Sequence, residues 1–207
     1  MPGNKLKYNA LGPISHPVSP KDDTLRKHIV ISPIGDLDSD LIQWVGREIH
    51  RIFDYRTRIA PLIHHVDFAL DSSRNQHCST LIIEKLAHLA PPKAIKILGI
   101  TRVDLFIPIL THVYGEAQLG GKACIISTHR LNEGLAMGVW EPFDRRVIKE
   151  AIHELGHTFN LRHCQNSACC MHYCRSIKDV DRKLGQLCRY CKVLLDDEIK
   201  RLVLATT

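Results

Sequence analysis

Apolar and polar positions divide the chain into short buried runs and amphipathic stretches. His28 to Ile34 (HIVISPI) is a β-branched run closed by Gly35 and Asp36, and it predicts a buried strand. Leu41, Ile42, Val45, Ile49 and Ile52 recur at helical spacing, predicting a helix over 38–53 with Asp38 or Ser39 as its N-cap. Residues 56–66 read as a second strand, and 78–89 as a second helix stopped by Pro91 and Pro92. Strand material follows within 96–107 (IKILGI, VDLFI). Val113–Gln118 and Ala123–Ser127 then read as a hairpin about Gly120 and Gly121. A further helix is expected over 145–159 and a closing helix over 190–204, with a loop-rich stretch between them.

Strands alternating with helices predict an α/β (α+β) fold, a twisted mixed sheet with backing helices. Three segments follow. Residues 1–27, punctuated by Pro2, Pro13, Pro17 and Pro20, form an irregular arm; 28–160 form an α/β subdomain; 161–207 form a small loop-rich C-terminal subdomain. A chain of 207 residues can bury one substantial core or two small ones. No apolar run approaches the ~20 residues of a membrane helix, and residues 1–27 lack the apolar segment of a secretory signal. A membrane or exported protein is therefore disfavoured and a cytoplasmic one expected.

Charge changes this picture little. Lys plus Arg number 28 against 22 Asp plus Glu, a net +6 spread along the chain. In 164–207 the cations interleave with Asp179, Asp181, Asp196, Asp197 and Glu198, the pattern of a solvated face, so a nucleic-acid partner is disfavoured. Histidine and cysteine change it more. There are 13 His and 8 Cys, and six of the Cys fall between Cys164 and Cys191. Without an export signal, such a cluster reads as a metal site before a disulfide framework.

The candidate chemistry lies in His153-Glu154-Leu155-Gly156-His157-Thr158-Phe159-Asn160-Leu161-Arg162-His163. His153 and His157, four apart on a helix, stack their imidazoles on one face, where both can reach one Zn²⁺. Glu154 adjoins the first ligand and can reach a water activated by the metal. His163 becomes a third ligand if the chain turns back after the helix, and Asn160 stands where that turn needs a left-handed residue. A chain of this composition, shuffled, holds the whole pattern by chance in roughly 0.2% of cases.

The pattern HExxHxxNxxH resembles the metzincin motif HExxHxxGxxH, with Asn160 in place of glycine. Cys164-x4-Cys169-Cys170-Met171, followed by Cys188-x2-Cys191, narrows the resemblance to the archaemetzincins. That resemblance implies a metzincin-like fold and a zinc metallopeptidase acting on peptides or proteins, with Glu154 as general base. It also implies a tight turn that places Met171 beneath the imidazoles, and a catalytic contribution from Tyr173. An edge strand, Val113-Tyr114-Gly115-Glu116-Ala117-Gln118, would form the substrate rim.

Cys164, Cys169, Cys188 and Cys191 supply two thiolate pairs suited to a closed tetrahedral zinc site, a second zinc per chain that would staple the C-terminal subdomain. Cys170 competes with Cys169 for register, and the family pattern favours Cys169. Two other readings remain: a zinc-dependent interaction protein with little or no turnover, and a zinc-ribbon nucleic-acid binder built on 164–207. A purely structural metal site has no need of a glutamate at Glu154.

Overall fold

The computed structural model describes residues 27–135 and 140–204. The proline-punctuated arm expected over 1–27 lies, apart from Lys27, outside these residues. Among the described residues the main sheet has five strands: β1 (His28–Pro33), β2 (Arg56–Ile59), β5 (Ala94–Thr101), β7 (Gly115–Ala117) and β8 (Ala123–Ser127), in the order β2-β1-β5-β8-β7. All neighbours are parallel except β7 and β8, the two arms of the expected hairpin. Buried on both faces, β1, β5 and β8 carry continuous apolar runs rather than alternation. A second sheet joins β3 (Leu70–Asp71), β4 (Gln76–Cys78) and β6 (Leu105–Phe106).

Helices cover both faces. On one lie α1 (Ser39–Phe53) and α3 (Trp140–Thr158), sharing a core with the C-terminal segment; on the other lies α2 (Ser79–His88). Val147, Ala151, Ile152, Leu155 and Phe159 form the buried stripe of α3 and its exit, each at most 1% exposed. Phe159 stacks on Phe53 of α1 with ring centroids 5.1 Å apart, so the end of α3 is locked to the end of α1.

Several expectations need correction. The second strand stops at Ile59, not Val66. Ala60 N donates the last rung to Ile31 O, Pro61 has no N–H, and Leu62 N turns to the Ser32 hydroxyl. Ile63 and Val66 are buried all the same, as loop residues against α2 and the sheet. Residues 96–107 divide between the two sheets, and Val113 makes only an isolated bridge to Leu105. Helix α3 begins five residues before the expected start at 145, with Pro142 in its first turn, where a missing N–H costs nothing. The stretch read as loop contains α4 (Ile177–Arg182), opened at its N-terminus by a capping box between Ser176 and Asp179. The closing helix, α5, spans Arg189–Leu204.

Charged groups on α3 clamp α4. Arg146 makes a two-pronged contact with Asp181 at 2.7 and 2.8 Å, and Lys149 donates to the carbonyls of Val180 and Asp181. Just beyond α4, Lys183 Nζ lies 2.8 Å from Glu150 Oε1, both side chains almost wholly buried; the contact is Coulombic rather than aligned for a hydrogen bond. Desolvation works against the Lys183 ammonium, but Glu150, with smaller contributions from Cys170 and Cys174, more than offsets it and raises the pKa above its ordinary value. Removing one partner strands the other in the core. Lys183→Met is expected to cost about 3–5 kcal/mol in urea unfolding, and Glu150→Leu/Lys183→Met to recover most of it. Equal stability of the single variant and wild type would contradict the pairing.

Candidate metallopeptidase site

The site is set by where α3 stops. Asn160 adopts φ 62°, Leu161 N donates to Gly156 O at 3.1 Å and Asn160 N to His157 O at 2.9 Å, the two bonds of a Schellman turn. Leu161 packs back against Gly156, completing the hydrophobic contact of that motif. The reversed chain carries His163 back to the helix. Ring centroids of His153, His157 and His163 lie 4.7, 4.8 and 5.3 Å apart, and their nearest ring nitrogens all fall within 4.8 Å of one another.

Hydrogen bonds set the tautomers. His153 Nδ1–H donates to Cys170 O at 2.8 Å and His157 Nδ1–H to Leu161 O at 2.7 Å, which leaves both Nε2 lone pairs free. The two Nε2 atoms stand 3.2 Å apart. A tetrahedron with arms of ~2.0–2.1 Å has edges of about 3.3–3.4 Å, so the donor set fits one zinc ion. Burial holds all three imidazoles below their ordinary pKa, His157 at about 4, and therefore in the neutral ligand form at pH 7.

Glu154 is 7% exposed. Its pKa is raised well above the ordinary carboxylate value, mainly by burial and then by Glu150 and Glu116; a dication at the imidazoles would act in the opposite sense. Its side chain fills the space over Gly115 of β7. A Cβ there would sit 2.6 Å from Glu154 Cγ and 2.7 Å from Ile125 O, so neither side can yield freely. Met171, wholly buried, packs under the helix at Gly156, where a Cβ would come within 2.5 Å of its sulfur. The turn bearing it is tied down by Cys164 N to Met171 O and His172 N to Cys169 O, both 2.9 Å. Tyr173, 48% exposed, faces His163 with ring centroids 4.9 Å apart.

The residues read as a substrate rim divide by role. Tyr114 O accepts from Ser127 N and Gln118 N donates to Ala123 O, which leaves the N–H and C=O of Gly115 and Ala117 facing outward. Glu116 points instead at the start of α2, accepting from Ser79 Oγ at 2.5 Å and Thr80 Oγ1 at 3.0 Å. Gln118 Oε1 caps the hairpin through Lys122 N and Ala123 N, and Val113 N donates to Leu105 O. The hairpin is fastened to the end of α3 by Gly120 N to His157 O and by Lys96, whose ammonium donates to Gly121 O and Thr158 O. Neither Lys96 nor the seat of Met171 on Gly156 stood out from the residue pattern, although a glycine inside an amphipathic helix is itself a sign of close packing.

A second cluster adjoins the first, since Cys164 follows His163 directly. The sulfurs of Cys164, Cys169, Cys188 and Cys191 lie within 4.8 Å of one another, and Cys164 Sγ is 3.8 Å from Cys188 Sγ. That is the edge of a tetrahedron with arms of about 2.3 Å, and far outside disulfide distance. Cys170 stands apart: its thiol donates to Lys149 O and burial pushes its pKa up to about 12. Cys188, at the mouth of α5, is lowered to about 7 by the Cys191 N–H.

Three neutral imidazoles converging beside a buried carboxylate, under the edge strand of a mixed sheet, define a zinc metallopeptidase. The chain belongs to peptidase family M54, whose family model matches residues 36–197. It is 37% identical to the archaemetzincin of Methanocaldococcus jannaschii, covering 82% of this chain and 93% of that one, and 34% identical to that of Pyrococcus furiosus, covering 86% and 96%. Two solved structures share the fold. The archaemetzincin of Archaeoglobus fulgidus, crystallised with malonate, aligns at TM-score 0.69 and 34% identity over 81% of this chain and 99% of that one. That of Methanopyrus kandleri aligns at 0.73 and 26% over 84% and 97%. Among the described residues no helix is long and apolar enough to cross a membrane.

The contact between Gly115 and Glu154 is directly testable. Gly115→Ala is expected to lower kcat by something on the order of 10–100-fold by displacing the carboxylate, with bound zinc retained. Steady-state kinetics beside metal analysis checks this, and an unchanged kcat would contradict the packing argument.

Proposed function

We propose that this peptidase hydrolyses peptide bonds at a zinc ion held by His153, His157 and His163, with Glu154 as the general base. The observation that carries the reading is the 3.2 Å approach of two free Nε2 atoms beside a buried carboxylate. Zinc, when bound, lowers the pKa of water toward ~7 and polarises a carbonyl. Glu154 accepts a proton from the attacking water and passes it to the leaving amine. Cys170 O and Leu161 O hold two of the imidazoles in orientation, and Met171 gives them an apolar floor. The outward N–H and C=O groups of Gly115 and Ala117 align an extended substrate by main-chain pairing. Tyr173, beside His163, donates its hydroxyl to the developing oxyanion.

A second zinc, held by Cys164, Cys169, Cys188 and Cys191, organises the C-terminal segment. Four unbridged thiols suit a reducing compartment, which supports a cytoplasmic location. Glu154→Gln preserves size and hydrogen bonding but not basicity. Its kcat on a cleavable peptide is expected to fall by about 10²–10⁴-fold with zinc content unchanged. Full activity in that variant would remove Glu154 as base; two bound zinc ions without turnover in wild type would favour an interaction protein.

A further inference from the structure

Among the described residues the main sheet has a second open edge, and the proposed chemistry makes no use of it. There β2 pairs only with β1. Since Ala60 N donates to Ile31 O, the even-numbered residues of β2 face β1, and the N–H and C=O groups of Thr57 and Ile59 point away from the sheet. Along this edge runs a groove of about 450 Å³, walled by α1 and lined by Gln43, Arg47, His50, Arg56, Thr57 and Ile59. Gln43, Arg47 and His50 recur at i, i+4 and i+7, one stripe of α1. The wall is anchored to the strand by Thr57 Oγ1, which donates to Gly46 O at 3.4 Å.

Among the described residues that line the groove none is acidic: Arg47 and Arg56 line it, and Arg58 lies beside it on the strand. Arg47 and Arg58 are exposed and, among the described residues, have no ion-pair partner, whereas nearby Glu48 is already engaged by Arg51 at 2.6 Å. We propose that the β2 edge is a docking site for an extended acidic segment of a partner protein, which adds as a strand to Thr57 and Ile59 and sets its carboxylates against Arg47 and Arg58. Main-chain pairing supplies the geometry and the arginines select the partner's sign. A second copy of this edge is disfavoured, because arginines would oppose arginines. Single-stranded nucleic acid is the poorer fit, because such sites set large aromatic platforms among their cations and, among the described residues, no Phe, Tyr or Trp side chain lines this groove.

The test is fluorescence anisotropy of a labelled peptide of alternating Glu and Val on the full chain, with mass spectrometry showing the peptide intact. Binding is expected to weaken by about tenfold or more in Arg47→Glu/Arg58→Glu. It is also expected to weaken in Ile59→Pro, which removes an outward N–H, but not in Ile59→Ala, which keeps it. Circular dichroism verifies that each variant is folded. In wild type, the Thr57 and Ile59 amides should gain hydrogen-exchange protection when the peptide binds. The proposal is overturned if the peptide does not bind, if binding survives the charge reversal, or if Ile59→Pro binds as wild type does. Displacement by a short oligonucleotide without protection of those amides would assign the groove to phosphate instead and equally overturn it. None of these readouts depends on catalytic turnover.

Discussion

The left-handed turn at Asn160 is the constraint on which the rest of the site depends. A helix can present two imidazoles on one face unaided, but a third ligand must come from elsewhere. Here the chain reverses within three residues of the last helical position, and His163 arrives beside His153 and His157. The reversal is held from several sides. Phe159 is locked on Phe53, Leu161 folds back on Gly156, Gly120 N of the hairpin turn donates to His157 O, and Lys96 of β5 donates to Thr158 O. A left-handed asparagine costs less than most residues there, and glycine would cost least.

From that turn the architecture builds outward in one direction. Cys164 follows His163 in the chain and its N–H bonds to Met171 O, so two of the four clustered sulfurs, Met171 and the third imidazole share one short stretch of backbone. On the opposite side, α3 reaches its place through a continuous apolar stripe, while its charged face clamps α4 through Arg146, Lys149 and Glu150. Strand β7 closes over this face, approaching so closely that only glycine fits opposite Glu154. Burial keeps the imidazoles neutral and ready to bind metal.

Much of this was legible in the residue pattern, for physical reasons. Helical spacing put His153 and His157 on one face, and Asn160 marked the turn because few other residues tolerate positive φ. The hairpin at Gly120 and the helix over 38–53 followed from turn chemistry and amphipathic period. Other features left no local trace. Strands β3, β4 and β6 are two or three residues long, too short to show a period. Residues 60–66 carry strand-like apolar content, yet they are buried as a loop once Pro61 removes a donor. Lys183 and Glu150 are 33 positions apart, and in sequence their charges look like those of any solvated face; only the fold shows that they are buried together. The register between Cys169 and Cys170 was open because adjacent cysteines differ only in direction, and Cys170 turns toward the Lys149 carbonyl.

The central claim is that two separate clusters between residues 153 and 191 each hold one zinc, and that the imidazole cluster is the catalytic one. Elemental analysis of zinc per chain tests it most directly, on wild type beside His157→Ala and Cys188→Ser. The account predicts two zinc ions in wild type, one in His157→Ala with hydrolysis abolished, and a loss confined to the sulfur cluster in Cys188→Ser. A single zinc in wild type, unchanged in His157→Ala, would contradict it.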